Sequence, residues 1–341
     1  MAALSVNVEC VVRGDEQLGE CTVWDDRERV LWWVDIRGPA LKRYDPASGA
    51  VRVVKLPEAI GSFGMRRGAG MVAGMKSGLY LLDPQSGVLQ SLAAPDKDFP
   101  ENRFNDGRCD RAGRFWAGTM RDGPRAPVGS LYRLDADGRC TKTKSDIFIP
   151  NSIAWSPDDR VMYFADTHRP ILWAYDFDLA SGEMRNERVF TAAGVEFGRP
   201  DGACIDSAGC LWSADYGGWR VVRYTPDGRI DRAIELPVAN ATCCCFGGQD
   251  LDTLYISTAR QRLTPEEIAK QPLAGSVLAV RPGVRGLPEA RFAGSHPRPL
   301  TTPSPARGEG VECARSLFVA CVTRSAASLP LPLRERAGVR G

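Results

Sequence analysis

The sequence predicts an all-β fold, a six-bladed β-propeller with four antiparallel strands in each blade. Three observations predict it: a short apolar strand recurs six times, with aromatic residues in five of the copies, a second strand follows each copy, and turn sequences separate the strands. The six first strands begin at Leu31, Gly70, Phe115, Met162, Leu211 and Leu254. The six second strands begin at Leu41, Leu79, Leu131, Leu172, Val221 and Val277.

Turn sequences complete each unit. Hairpin turns follow the second strands at Asp45–Gly49, Asp83–Gly87, Asp135–Gly138 and Pro226–Gly228. A further turn and apolar stretch precede the first strands, so each unit supplies about four strands. Units of roughly 40 to 55 residues match the repeat length of propellers. A β-sandwich would not repeat the same aromatic-rich strand six times.

Two segments depart from the repeat. Thr264 is followed by Pro265 and Glu267, which predicts a short capped helix inserted in the last unit. Residues 295–341 contain six prolines and seven arginines but no lysine or aspartate. Such a composition predicts a disordered segment. The expected organisation is therefore a propeller over residues 1–294 and a Pro/Arg-rich C-terminal extension over residues 295–341.

The composition narrows the function classes. Of the 341 residues, 43% are hydrophobic, and the net charge of +2 gives no electrostatic case for binding nucleic acid or a membrane. No apolar run of 18 residues and no N-terminal targeting pattern occurs, so we expect a cytoplasmic protein. The eleven cysteines form no C-x-x-C pair, and Cys243–Cys245 are consecutive. Free thiols in core positions are expected, rather than disulfides or a zinc site.

Oxygen-bearing side chains recur at one position of the repeat. Ten to twelve residues before the first strands, the chain carries Glu20, Asn105, Asn151, Asp201 and Thr242, and Ser62 is one position out in the second unit. Because the innermost strand of each blade lines the central channel, these side chains are expected to meet near the axis. Two carboxylates and an amide that face one another in a partly buried channel would repel or stay poorly solvated unless a cation lay among them, which favours a divalent metal. Taken singly, each acid is more often a solvated turn residue.

The oxygen donors and the missing motifs limit the chemistry. An all-oxygen set favours Ca²⁺, Mg²⁺ or Mn²⁺, although Zn²⁺ and Fe²⁺ also accept carboxylates. The propeller region contains a single histidine, His168, interpreted as a rim residue, and no G-x-S-x-G sequence, which argues against a serine hydrolase. No dinucleotide or phosphate-binding loop is present. Metal-assisted hydrolysis remains.

Several short motifs follow one another along the chain: Gly19-Glu20, Asn102–Gly107, Ala117–Met120, Pro150-Asn151, Pro200–Gly202 and Cys245–Gly248. In this order they resemble the regucalcin, gluconolactonase and luciferin-regenerating-enzyme family. The resemblance runs from about residue 8 to residue 294 and implies a metal-dependent sugar lactonase. It implies one divalent cation bound by Glu20, Asn151 and Asp201, with Asp201 also the acid/base residue. It further implies that Arg103 and Asn105 contact a small-molecule sugar lactone.

The sequence differs from the family that it resembles at a position that contacts the substrate, so the resemblance does not fix which lactone is bound. Animal members carry a substrate-contacting glutamate where this sequence has Gly123, within a loop, Arg121–Val128, expected to cover the mouth of the channel. An arabinono-, xylono- or gluconolactone is the expected substrate. An alternative for Arg103 is a rim ion pair with Asp106 or Asp110. Alternatives to catalysis are a calcium-binding regulator of the regucalcin type and a propeller that serves only as an interaction module.

Overall fold

The computed structural model describes residues 7–192 and 198–295, which form six four-stranded antiparallel sheets. Each sheet is one blade, so the predicted six-bladed propeller with four strands per blade is confirmed. The chain begins with β1 (Glu9–Val12), which belongs to the sixth blade. The first blade contains β2 (Gly19–Asp25), β3 (Val30–Asp35), β4 (Ala40–Tyr44) and β5 (Val51–Lys55), and the second contains β6 (Ile60–Met65), β7 (Met71–Met75), β8 (Leu79–Leu82) and β9 (Leu89–Ala93). The third contains β10 (Asn102–Cys109), β11 (Phe115–Arg121), β12 (Gly129–Leu134) and β13 (Cys140–Ile147). The remaining strands are β14 (Pro150–Trp155), β15 (Val161–Asp166), β16 (Ile171–Asp178) and β17 (Glu183–Ala192) in the fourth blade, β18 (Arg199–Ile205), β19 (Leu211–Tyr216), β20 (Arg220–Tyr224) and β21 (Ile230–Glu235) in the fifth, and β22 (Ala241–Gly247), β23 (Thr253–Thr258) and β24 (Val277–Val280) in the sixth.

The sixth blade is completed by the start of the chain. Strand β1 pairs antiparallel with β24, and Glu9 lies opposite Ala279. In the other five blades all four strands are consecutive in sequence. Hydrogen bonds between the two ends of the described propeller therefore close the ring, a feature that the repeat count does not predict.

Aromatic side chains pack between neighbouring blades. Trp116 of β11 lies 6.1 Å from Trp155 of the fourth blade, centroid to centroid, and Trp212 of β19 lies 5.9 Å from Phe246 of the sixth. Because each aromatic side chain buries a large apolar area, these contacts hold the blades against one another. They explain why aromatic residues recur in the repeat.

Buried aspartates anchor two of these tryptophans. Asp110 accepts hydrogen bonds from two backbone N–H groups of its turn and from Nε1 of Trp116, at 2.8 Å. Asp206 holds Trp212 in the same way at 2.9 Å. In each of these two blades, one carboxylate thus fixes both the turn and the tryptophan that contacts the neighbouring blade.

Beyond β24, residues 282–294 cross the ends of the inner strands and are called here the C-terminal strap. The strap bonds to five blades, through Gly286 N to Leu251 O, Ser207 N to Arg285 O, Arg108 to Glu289, Arg291 to Asp25, and Phe292 N to Met65 O. The expected boundary at residue 294 falls after these contacts. Residues 296–341 lie outside the described residues, so the disordered extension stays a prediction.

The remaining local predictions concern the helix and the cysteines. Helix α1 (Pro265–Lys270) begins with the expected capping box, since Thr264 accepts from Glu267 N–H and the Glu267 side chain accepts from Thr264 N–H. Cys243–Cys245 are buried in β22, and the nine cysteines among the described residues are free thiols, as expected. Within the described ranges, no helix is long and apolar enough to span a membrane.

Candidate active site

The five side chains that the sequence singles out line one cavity of about 300 Å³. Glu20 lies in β2, Arg103 and Asn105 in β10, Asn151 in β14 and Asp201 in β18, each near the start of an innermost strand. All five are buried, with side chains at most 6% exposed. The repeat therefore brings residues from four blades to the same end of the channel.

A β-bulge interrupts every innermost strand at this level. The register breaks lie at Glu20–Val23, Ile60–Ser62, Phe104–Gly107, Asn151–Ala154, Pro200–Ala203 and Ala241–Cys243. Cys21 and Ser152, which directly follow Glu20 and Asn151, have positive φ angles of 50° and 54°. Bulges redirect neighbouring side chains and are common beside active sites. Here the bulges occur where the acidic and amide side chains point toward the axis.

Two of the six equivalent positions do not line the cavity. The Thr242 hydroxyl donates to the carbonyl of Gly19, which ties the sixth blade to the first. The Ser62 hydroxyl is buried without a hydrogen-bond partner among the described residues. The expectation that five or six side chains meet at one level thus holds for four positions.

A chain of hydrogen bonds crosses three blades beside the cavity and is called here the amide relay. Arg103 Nη1 donates to Asn105 Oδ1 at 2.7 Å, and Asn105 Nδ2 donates to Asn151 Oδ1 at 3.1 Å. Asn151 Nδ2 donates to Thr167 Oγ1 at 2.6 Å, and that hydroxyl donates to the carbonyl of Pro200 at 2.7 Å. Every donor in the relay points in the same direction along it.

The two ends of the amide relay decide how both amides are oriented. A guanidinium can only donate and a carbonyl can only accept, so the orientations between Arg103 and Pro200 follow. Asn151 consequently presents its Oδ1 and not its NH₂ group on the side of Asn105. One lone pair of that oxygen is already used, and the other remains for a cation.

Arg103 is a buried residue held by acceptors on one side. Its Nη1 also donates to the backbone carbonyl of Phe104 at 2.9 Å, and its Nε lies 3.4 Å from Asp122 Oδ1. Burial lowers the pKa of Arg103 to about 10, and the charge of Asp122 opposes that effect. The alternative of a rim ion pair with Asp106 or Asp110 is wrong, because the pairing carboxylate is Asp122. Its Nη2 makes no hydrogen bond to a described residue.

Both acids of the site have raised pKa values, and burial is the largest cause for each. The pKa of Glu20 is raised well above its ordinary value by burial, by Asp201 and by Asp106. The pKa of Asp201 is raised by burial and then by Asp106, whose own carboxylate accepts from Ile153 N–H. Buried carboxylates this close are unfavourable unless a proton or a cation lies between them.

The donor set fits a hard divalent cation. Glu20, Asp201 and the Asn151 amide supply oxygen atoms, the ligand type preferred by Ca²⁺, Mg²⁺ and Mn²⁺. Within the described part of the chain, His, Cys, Asp and Glu side chains form no metal-binding group of three or more. Glu20 and Asp201 supply two such side chains, and the third member of this set is an amide. Three protein donors leave coordination positions for a substrate.

The cavity also contains residues that the sequence reasoning missed. Thr167 joins the amide relay, and Arg125, Arg199 and Arg262 line the walls with His168, the expected rim histidine. Thr167 directly follows β15, so its place beside Pro200 depends on how the fourth and fifth blades pack. No local motif marks it. Arg125 belongs to the Arg121–Val128 loop. A side chain added at Gly123 in the same loop would have no neighbour within 4 Å of its Cβ atom.

Among the described residues, the two ends of the inner strands border cavities of very different size. The inner strands run from the cavity to the C-terminal strap, where Arg108 and Glu289 form an ion pair at 2.6 Å. The space beside that pair is about 40 Å³, which holds a few waters. The larger cavity is the one with room for a sugar ring, and its exposed rim, called here the mouth, includes Arg125 and His168.

The chain is similar to several known proteins. A protein-family model, described as the SMP-30/Gluconolactonase/LRE-like region, matches residues 18–260. A 6-deoxy-6-sulfogluconolactonase from Pseudomonas putida is 42% identical, covering 85% of this chain and 100% of the relative, and regucalcin from Oryctolagus cuniculus is 36% identical over 85% and 99%. The solved structure of a calcium-binding protein, regucalcin, from Agrobacterium tumefaciens has a TM-score of 0.80 at 32% identity, covering 84% of this chain and 97% of that one.

Proposed function

Because the chain belongs to the SMP-30/gluconolactonase/LRE-like family, as its motifs predict, we propose that it is a sugar lactonase that hydrolyses an aldonolactone with the help of one divalent cation. The observation that carries the proposal is the convergence of Glu20, Asn151 and Asp201 on one buried cavity wide enough for a sugar ring. The sulfogluconolactonase name of the Pseudomonas putida relative supports the reaction class.

Glu20, Asn151 and Asp201 are the proposed cation ligands. A bound divalent cation would supply Lewis acidity toward the lactone carbonyl. The raised pKa values of the two acids and the exposed lone pair of the Asn151 amide support this assignment.

Asp201 is the proposed acid/base residue. It takes a proton from the attacking water, and the water oxygen forms a bond to the carbonyl carbon. The ring C–O bond then breaks, and Asp201 returns the proton to the departing ring oxygen. The products are a hydroxyl group and a carboxylic acid on one open chain. Burial raises the pKa of Asp201 above its ordinary value, which makes its carboxylate a stronger base toward the attacking water.

Arg103 and Asn105 are the proposed substrate contacts, and their hydrogen bonds assign each a direction. Both hydrogens of Asn105 Nδ2 are used, by Pro150 O and Asn151 Oδ1, so Asn105 can only accept from a sugar hydroxyl. Arg103 keeps Nη2 free to donate to a ring or carbonyl oxygen. Its planar guanidinium performs this better than a lysine would.

The test is hydrolysis of arabinono-, xylono- and gluconolactone, followed with a pH indicator after EDTA treatment and after return of Ca²⁺, Mg²⁺, Mn²⁺, Zn²⁺ or Fe²⁺. Loss of a proton-transfer group costs roughly 10²- to 10⁴-fold, so Asp201→Ala should lose that much kcat. Ser62→Ala, at an equivalent repeat position outside the cavity, is the matched control and should keep its activity. Equal rates for wild type and Asp201→Ala would refute the assignment.

The alternative is a calcium-binding regulator, which the regucalcin relatives raise by name. Such a protein would bind Ca²⁺ through Glu20 and hydrolyse no lactone of the panel under any metal. Titration calorimetry with Glu20→Ala tests the ligand set separately, because that variant should lose cation binding under either function. Unchanged affinity would show that the cation binds elsewhere.

A further inference from the structure

The cavity has an excess of positive charge that hydrolysis of a neutral sugar lactone does not require. Four arginines line it, Arg103, Arg125, Arg199 and Arg262, against two carboxylates, Glu20 and Asp201. A divalent cation held by those carboxylates would cancel their charge. Four guanidinium groups would then face the substrate.

Two of these guanidinium groups lie at the mouth without a partner. Arg125 is half-buried in the loop between β11 and β12, and Arg262 is exposed between β23 and α1. Neither has a hydrogen bond or an ion pair within 4 Å among the described residues. Burial, Arg262 and Arg37 all lower the pKa of Arg125, which indicates that like charges surround it.

The neighbouring acid is already in use. Asp122 accepts two hydrogen bonds from Arg37, at 2.6 and 3.0 Å, and lies 3.4 Å from Arg103 Nε. It acts on Arg125 only through its more distant charge. A half-buried guanidinium among other cations is unfavourable until an anion binds to it.

Arg199 lies on the same wall but is held in place. Its Nη1 donates to the carbonyls of Thr167 and His168 at 3.1 and 3.0 Å. Arg103 is fixed by the amide relay. Among the four lining arginines, Arg125 and Arg262 are the two whose guanidinium groups contact no acceptor among the described residues.

We propose that Arg125 and Arg262 form a subsite for an anionic substituent of the lactone, a sulfonate, phosphate or carboxylate carried at the end of the sugar remote from the scissile bond. This inference rests on the proposed lactonase function and names its substrate class. The cation site binds the lactone group at the depth of the cavity, and the two arginines bind the charged end at the mouth. A bidentate guanidinium suits each of these anions.

Kinetics on matched lactones test the subsite. Gluconolactone is compared with its 6-phospho and 6-deoxy-6-sulfo counterparts, which separate phosphate from sulfonate recognition. The ratio of kcat/KM for a charged lactone to that for gluconolactone should exceed 10 in the wild type. It should fall about 10-fold in Arg125→Gln and in Arg262→Gln, since each removes a charge-assisted hydrogen bond. Arg160→Gln removes the same charge from an exposed site and should leave the ratio unchanged.

A binding measurement keeps the inference testable if no lactone is hydrolysed. Calorimetry with 6-phosphogluconate and gluconate isolates the terminal group, because both carry the same carboxylate. At least 10-fold tighter binding of 6-phosphogluconate, lost in the Arg125→Gln/Arg262→Gln double variant, would support the subsite even where the lactonase proposal fails. Equal binding of the two acids, or a ratio of kcat/KM that both arginine variants retain, would overturn it.

Discussion

Replacing Thr167 with valine probes whether the amide relay orients Asn151 in the proposed cation site. Valine keeps the shape of threonine but removes the hydroxyl that accepts from Asn151 Nδ2 at 2.6 Å and donates to Pro200 O at 2.7 Å. Both groups that lose their partner are buried. Each unsatisfied group costs about 1–3 kcal/mol, so for two groups we expect a loss of about 2–6 kcal/mol in the free energy of unfolding. For a domain of this size, Tm should fall by about 4–10 °C.

The same substitution should weaken cation binding without touching the cation. Once Thr167 no longer accepts from its NH₂ group, Asn151 can rotate its amide, and its oxygen is no longer fixed toward the site. Removal of a partner that orients a ligand costs about 10- to 100-fold in metal affinity. Calorimetric titration of the EDTA-treated protein with Ca²⁺ or Mn²⁺ measures this.

Thr167→Ser is the matched control, because it keeps the hydroxyl and should retain wild-type affinity within about 3-fold. The decisive comparison is between serine and valine at the same position. If valine binds the cation as tightly as serine does, the orientation of Asn151 does not depend on Thr167. The reasoning from donor direction would then be refuted.

Three further predictions concern the buried charges and the strap. Asp201→Asn should stabilise the metal-free protein at pH 8. Because the pKa of Asp201 is raised in the folded state, the stability of the wild type falls as pH rises from about 4 toward that pKa. The gain in Tm from the substitution should therefore be smaller at pH 5 than at pH 8, and a constant gain would contradict this. Asp110→Ala should lose about 3–5 kcal/mol in urea unfolding, because Arg114 and the Trp116 indole lose a buried partner, whereas a loss below about 1 kcal/mol would show that the turn holds without it. Truncation after Gly294 should give a folded, active protein and truncation after Arg281 should not, as judged by circular dichroism; equal folding of both would assign the strap no structural role.

The fold was predictable because propeller blades repeat local chemistry. The strand that begins at Leu31 recurs in every blade as an apolar strand, aromatic in five of the six copies, and the turn aspartates that anchor Trp116 and Trp212 occur at the same offset. Equivalent positions in a ring must meet at the axis, so Glu20, Asn151 and Asp201 could be grouped without knowing any contact. Symmetry supplied the long-range information that a single strand lacks.

The remaining features depend on contacts between units that do not repeat. Thr167 reaches Pro200 across a blade boundary, and Arg262 reaches the mouth from the insertion before α1. Asp122 pairs with Arg103 because Arg37 of another blade holds it there. Nothing in the local sequence around these residues distinguishes them from ordinary surface polar groups.

The pairing of β1 with β24 also constrains how the protein is made. Strand β1 leaves the ribosome first, but its partner is synthesised more than 260 residues later. Until then the nascent chain must keep an apolar segment without its final neighbour, and closure of so long a loop is entropically costly and slow. Glu20 and Asp201 belong to the first and fifth blades, so the closed ring is the state in which both line one cavity. Cation binding at the proposed site would therefore report that the propeller has been synthesised and closed.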